Sequence, residues 1–379
     1  MRENIKRRAM FVFGLAIIIA VFVSLVSQEK LDPAEPQMTV EAYSPLSTWV
    51  VDEHLVPSAK FPVIDVHSHH RSGFSESHWL DVVSDMDSLN LQVLVNLSGG
   101  WGDRLSRGIA TVTNSSYPDR MVFFSNLDFS NGVSPGFGEK AAAQLERDVK
   151  AGAVGLKFFK NFGISVFDTF GQRVPVDHQE LIPVFETCAR LNIPVLIHTG
   201  EPMAFYEPVD RFNERWLELT LLPNRRLPAD QFPSFEEMME ERNRLFSRHR
   251  NTRFIAAHMG WHANDLERLG NLLDEMPNVY VETAAVLYEL GRQPRAAREF
   301  FVAYQDRVLF GKDRFQAEEF SYYWRTFETA DEYFDYYRRY HAFWQLYGMD
   351  LPDVVLKKLY YGNALKVVPG ISPALFPDF

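Results

Sequence analysis

The chain has 379 residues, 46% of them hydrophobic and 14% aromatic, enough for one large domain or two smaller ones. A formal net charge of −11 and a pI near 5.5 exclude the basic face that nucleic-acid binding requires. A single cysteine, Cys188 in FETCARLNIP, excludes an internal disulfide and reads as core filling on a helix.

Residues 1–8, MRENIKRR, form a basic tail with Arg2, Lys6, Arg7 and Arg8. Residues 9–27 carry no charge and are apolar enough to predict a transmembrane signal anchor. Basic flanks stay cytoplasmic, so the rest of the chain is expected outside the cytoplasm, anchored to the membrane; signal cleavage and secretion is the alternative. Residues 28–60, with Pro33, Pro36, Pro45 and Pro57, read as a linker and irregular lead-in.

From residue 61 the pattern becomes regular. Short apolar runs occur at PVIDVHSH, QVLVNLS, MVFFSNLDF, VGLKFFKN, IPVLIHTG, RFIAAHMG, NVYVETAA and RVLFGKDR. Between and after them, helical periodicity covers 77–89, 103–117, 139–150, 178–191, 235–248, 263–276, 293–304 and 353–366. Alternating strands and helices imply a parallel sheet, and eight repeats predict an α/β fold, a (β/α)8 TIM barrel over residues 61–379. An open doubly wound sheet is the rival, but no Gly-x-Gly-x-x-Gly turn follows any strand.

In the first strand, Phe61, Val63 and Ile64 are apolar, and alternation puts Asp65, His67 and His69 on one face. Two imidazoles about 7 Å apart on one face can grip a metal ion from one side. A barrel places its chemistry at the C-terminal strand ends, and the reactive residues fall there. Strand 1 ends in His67 and His69, strand 4 carries Lys157, strand 5 ends in His198, strand 6 in His258 and strand 8 in Asp313. The other histidines, His262 and His341 among them, read as surface or packing residues.

Two long insertions are expected, after strands 5 and 8. About 50 residues separate strands 5 and 6, long enough for a lid. The segment after strand 8 is crowded with Tyr, Phe and Trp, which either pack as a small core or wall a pocket for a ring-bearing substrate. Arg71 and Arg314 each stand beside a strand-end motif and could clamp a carboxylate, favouring a small acidic substrate.

The motifs IDVHSH, GLKFF, LIHTGEP, AAHMG and LFGKDRF, in this order on strands 1, 4, 5, 6 and 8, resemble the amidohydrolase superfamily. They look most like the amidohydrolase-related branch that includes aminocarboxymuconate-semialdehyde decarboxylase, and the closing YYGNALKVV is similar to a family helix. The resemblance covers roughly residues 61–370. It implies His67, His69, His198 and Asp313 as ligands of a divalent metal, for which Zn²⁺ suits three imidazoles and a carboxylate. Asp313 would also move the proton of a metal-activated water, with His258 orienting the water or stabilising an oxyanion.

One metal per chain is favoured, with Lys157 contributing to substrate. In two-metal relatives a carbamylated lysine on strand 4 bridges two ions, and His198 would then belong to the second. The expected function is a hydrolase of a C–N or C–O bond in an amide, ester or lactone. The alternative is a non-hydrolytic decarboxylase of a small unsaturated or aromatic acid. Expected partners are a small-molecule substrate, the membrane through the N-terminal helix, and a second copy in a homodimer.

Overall fold

Runs rich in Val, Ile, Leu and Phe, each ended by polar or glycine residues, form eight short strands in a computed structural model of the chain. The structure describes residues 38, 39, 42, 43, 45–71, 73–338 and 340–378. The strands are β1 (Val63–Ser68), β2 (Leu91–Asn96), β3 (Met121–Asn126), β4 (Ala153–Phe158), β5 (Val195–Ile197), β6 (Phe254–Ala256), β7 (Val279–Glu282) and β8 (Val308–Leu309). They pair in chain order, each parallel to the next. The Val66 N–H donates to the Phe310 carbonyl at 3.0 Å and the Asp313 N–H to the His67 carbonyl at 2.7 Å. These bonds bring β8 round to β1 and the barrel to near closure, as expected from the repeat.

Every residue of β1 is buried, because a barrel strand faces the packed interior on one side and helices on the other. Helices follow the strands at Glu76–Leu89, Gly102–Thr113, Phe137–Lys150, Ile182–Arg190, Phe235–Arg248, Leu266–Glu275 and Pro294–Ala303. Side chains that favour caps start several of them: Ser75 accepts from the His78 N–H, Ser234 from that of Glu237, and Asp265 from that of Arg268. The last predicted helix is interrupted, with a π-turn at Lys358–Gly362 between Asp353–Lys357 and Asn363–Val367.

Both long insertions are present. After β8, Phe320, Tyr323, Trp324 and Phe327 are buried and pack around Phe310, with Tyr360 against Trp324. The rings therefore build a core beneath the insertion. After β5, a short helix, Trp216–Leu221, carries Glu218, whose buried carboxylate pairs with Arg215 and Arg225.

Val50–Phe379 forms one compact unit. The expected transmembrane helix, on which membrane attachment and an extracytoplasmic barrel rested, is corrected to this: it has no support among the described residues. Among the described residues no helix is long and apolar enough to cross a membrane. The longest, at 14 residues, reach about 21 Å against a hydrocarbon core of about 30 Å. The segment 9–27 lies outside the described residues. The expected homodimer has no support here either, since the structure is a single chain and shows no subunit contact.

Candidate metal centre

The end of β1 supplies the centre. His67 is fully buried and its Nε2 lies 3.1 Å from Nε2 of His69. Asp313, four residues past β8, sets an Oδ1 oxygen 3.4 Å from His69 Nε2 and 3.8 Å from His67 Nε2. Donors bonded at about 2.1 Å to a tetrahedral ion lie about 3.4 Å apart, so these three atoms fit the corner spacing of such a site. Asp313 reaches this position with φ at 87°, a left-handed backbone fixed by its own N–H bond to His67.

The protonation states suit metal binding. Burial, helped by the nearby Lys157 charge, holds His67 well below an ordinary histidine and brings His69 down to about 4. Both rings are therefore neutral at pH 7. Burial works against the Asp313 carboxylate, but His67, His258, His69 and Lys157 around it outweigh this and keep it well below the usual range. Two neutral imidazoles and an ionised carboxylate are ready ligands.

A second carboxylate went unnoticed in the sequence. Glu282, the last residue of β7, is fully buried and accepts from His67 Nδ1 at 2.9 Å. It also accepts from the backbone N–H groups of His258 at 2.7 Å and Ala284 at 2.6 Å. His67, His258 and Glu282 form a second group whose spacing could hold a divalent ion. With both its oxygens already accepting N–H bonds, Glu282 acts instead as the fixed acceptor that leaves His67 Nε2 free for a metal. The rule that drew attention to strand ends, applied to NVYVE, would have found it. Asp65 supports the same loop, with one oxygen accepting from the N–H groups of His67 and Lys312, and Ser98 meets His69 Nδ1 at 2.7 Å.

His198 stands apart from the His67–His69–Asp313 triplet. Its Nδ1 faces His258 Nε2 at 3.3 Å, while its Nε2 has no hydrogen-bond partner. His258 gives its Nδ1 proton to the Ala284 carbonyl at 2.8 Å, and its ring stacks on Trp261 at 4.5 Å. Burial lowers the pKa of His258 in spite of Glu282 and Asp313, so this ring too is neutral.

The two lysines of strand 4 differ. Lys160 is paired with Glu201, whereas Lys157 is buried with no hydrogen-bond partner on its Nζ. Burial pulls Lys157 well below an ordinary lysine, against the opposing effect of Glu282 and Asp313. Arg71 and Arg314 are exposed beside the strand ends, and neither side chain pairs with a carboxylate among the described residues. A small cavity of about 30 Å³ lies beneath the lid, bounded by Met203, Trp261, Val286, Tyr288 and Glu289.

Parallel strands closing into a barrel, with a His-x-His pair and a carboxylate at their C-terminal ends, define a metal-dependent barrel enzyme. The amidohydrolase family model matches residues 128–370, and the chain belongs to that family. No curated protein matches the chain. Among solved structures, 2,6-dihydroxybenzoate decarboxylase from Rhizobium superposes with a TM-score of 0.53 at 15% identity, covering 81% of this chain and 98% of that one. A TIM-barrel protein from Bordetella bronchiseptica gives 0.51 at 16% identity, with coverage of 81% and 98%. Dihydroxybenzoic acid decarboxylase from Polaromonas sp. JS666, solved with manganese and 2-nitroresorcinol, gives 0.50 at 16% identity, covering 81% and 96%. At these identities the likeness speaks for the fold.

Proposed function

We propose that the chain is a metal-dependent decarboxylase of a small unsaturated or aromatic acid. The observation that carries this reading is Lys157: a buried amine without a hydrogen-bond partner, close to the His67–His69–Asp313 donors. A substrate carboxylate would supply the missing partner and draw this amine, held well below an ordinary lysine by burial, into its charged form. The decarboxylase names among the structural neighbours point the same way.

In this reading His67, His69 and Asp313 hold one divalent ion, zinc by donor type, with His198 beside them as a further ligand on ring reorientation. The ion would act as a Lewis acid on a substrate oxygen. Lys157 seats the carboxylate, and Arg71 or Arg314 steadies a second acidic group at the opening. The C–C bond breaks with its electron pair left on carbon, and carbon dioxide departs. Asp313 relays a proton from water, held in place by His258, to that carbon, and the hydroxide left behind leaves with carbon dioxide as bicarbonate once both reach solvent.

Hydrolysis of an amide, ester or lactone is the second reading, favoured by the place of the Asp313 carboxylate beside His67 and His69, where it could take the proton of a metal-activated water. Product analysis over a screen of aromatic acids, lactones and amides tests both. Decarboxylation releases carbon dioxide and puts solvent deuterium on carbon, with no label from H₂¹⁸O in the organic product. Incorporation of ¹⁸O into a product carboxylate without carbon dioxide would replace the first reading by the second. Lys157→Met should raise KM for acids while leaving about one metal per chain. If short carboxylic acids restored that variant together with a second metal, Lys157 would be a carbamate bridge.

A further inference from the structure

Arg242, on the helix Phe235–Arg248, is a buried cation with no carboxylate partner among the described residues. Its Nη1 donates to the Gly260 carbonyl at 2.6 Å. Its Nη2 reaches the Asn243 side-chain oxygen at 3.0 Å and His262 Nε2 at 3.2 Å, and its Nε the same Asn243 oxygen at 3.2 Å. Taking a guanidinium out of water for three neutral acceptors is an expensive arrangement, retained only if the acceptors must be held.

What it holds is the turn that follows β6. His258, Met259, Gly260 and Trp261 all have left-handed backbones, with φ of 59°, 53°, 60° and 56°. Single left-handed residues are common in turns, but consecutive ones with side chains are unfavourable for L-amino acids. The turn has few bonds of its own: the Gly260 N–H donates to the Ala257 carbonyl at 2.9 Å and the His262 N–H to that of Met259 at 3.1 Å. A Cβ on Gly260 would lie 3.0 Å from Arg242 Nη1, a tight approach that would push the guanidinium back from the turn. The strained turn aims His258 at His198 and stacks the Trp261 indole on the same imidazole.

We propose that Arg242 is a positioning residue: its guanidinium clamps the left-handed turn His258–Trp261 and thereby sets the His258 ring and the Trp261 wall of the lid cavity. It acts from behind the turn and touches none of the metal donors. The inference rests on the role given to His258 above, but its primary readout needs no substrate.

The test uses the full chain, zinc-loaded and ¹⁵N-labelled at histidine. The His258 Nδ1–H resonance, held by the Ala284 carbonyl, is identified by its absence in His258→Asn. Arg242→Lys keeps the charge and stem but loses the fork that spans Gly260, Asn243 and His262, so it should fold. The expected result is a shifted or broadened His258 signal, unchanged His67 signal and metal content, and kcat reduced about tenfold with a smaller change in KM. Arg242→Met should show the same changes more strongly, with Arg242→Lys intermediate. An unmoved His258 resonance in Arg242→Lys, with kcat as in wild type, would overturn the proposal even if Arg242→Met fails to fold. Should the wild type prove inactive on every acid tested, the function above falls, while the resonance and metal readouts still decide the role of Arg242.

Discussion

A histidine serves a metal through one nitrogen when the other is committed, and the residue that commits His67 is Glu282. Glu282→Gln keeps the shape but replaces an acceptor oxygen with an NH₂ group that faces N–H donors. Metal affinity is expected to fall about 10- to 100-fold, read by competition with a chelator, with the fold intact by circular dichroism. His67→Ala or His69→Ala should abolish the near-stoichiometric metal altogether; full metal retention in either would remove the centre from these residues. Gly311 shows how tightly the pair is packed. A Cβ there would stand 2.2 Å from Glu282 Oε2 and 2.9 Å from His67 Cβ, so Gly311→Ala should displace the carboxylate and lower both melting temperature and metal content. None of this second layer is visible in a His-x-His motif, because a motif names donors and not what their far nitrogens touch.

Elements with a local period were legible; elements held by distant partners were not. Strand alternation and helical spacing placed all eight strands and seven of the helices nearly where the structure has them, since burial on a fixed face dictates both patterns. The left-handed turn after β6 leaves no periodic trace, while the core built by the aromatic insertion was the expected reading of its rings, with a pocket wall as the alternative. The lid is the clearest case. Its helix Trp216–Leu221 is secured by Glu218, fully buried between Arg215 and Arg225, with His341 of the second insertion 3.3 Å away. Glu218→Gln would leave a buried guanidinium short of its counter-charge, at a cost of about 3–5 kcal/mol to whatever it stabilises. Faster hydrogen exchange across residues 203–226, with β1 and β2 unchanged, is the expected signature of a loosened lid. Equal loss of protection throughout would mean that Glu218 supports the whole barrel.

At the scale of the molecule, the compact unit begins at Val50, earlier than the barrel boundary at residue 61 drawn from hydrophobic periodicity. The difference lies in polar contacts. The irregular lead-in is tied to the barrel by the His54 N–H, which donates to Asp331 at 2.7 Å, by the His54 ring on the same carboxylate, and by Glu53 on Arg325. Burial tends to raise the Asp331 pKa, but the backbone and ring of His54 and the Arg325 guanidinium outweigh it and lower the value. The Asp331 hydrogen bond and charge in turn raise His54 above its ordinary 6.5. The two shifts set a pH window. A lowered carboxylate stabilises the fold above its unfolded value of about 3.9 and loses that contribution as pH falls through the folded value. A raised histidine stabilises below about 6.5 and loses its contribution as pH rises through the folded value. Both terms are complete only between roughly pH 4 and pH 6.5. His54→Phe should therefore lower the melting temperature most within that window and progressively less above it. A chain starting at residue 61 should lack the same pH-dependent increment. A melting-temperature difference that stayed constant from pH 5 to pH 9 would show that the lead-in is held by packing and backbone bonds, with the His54 charge adding nothing.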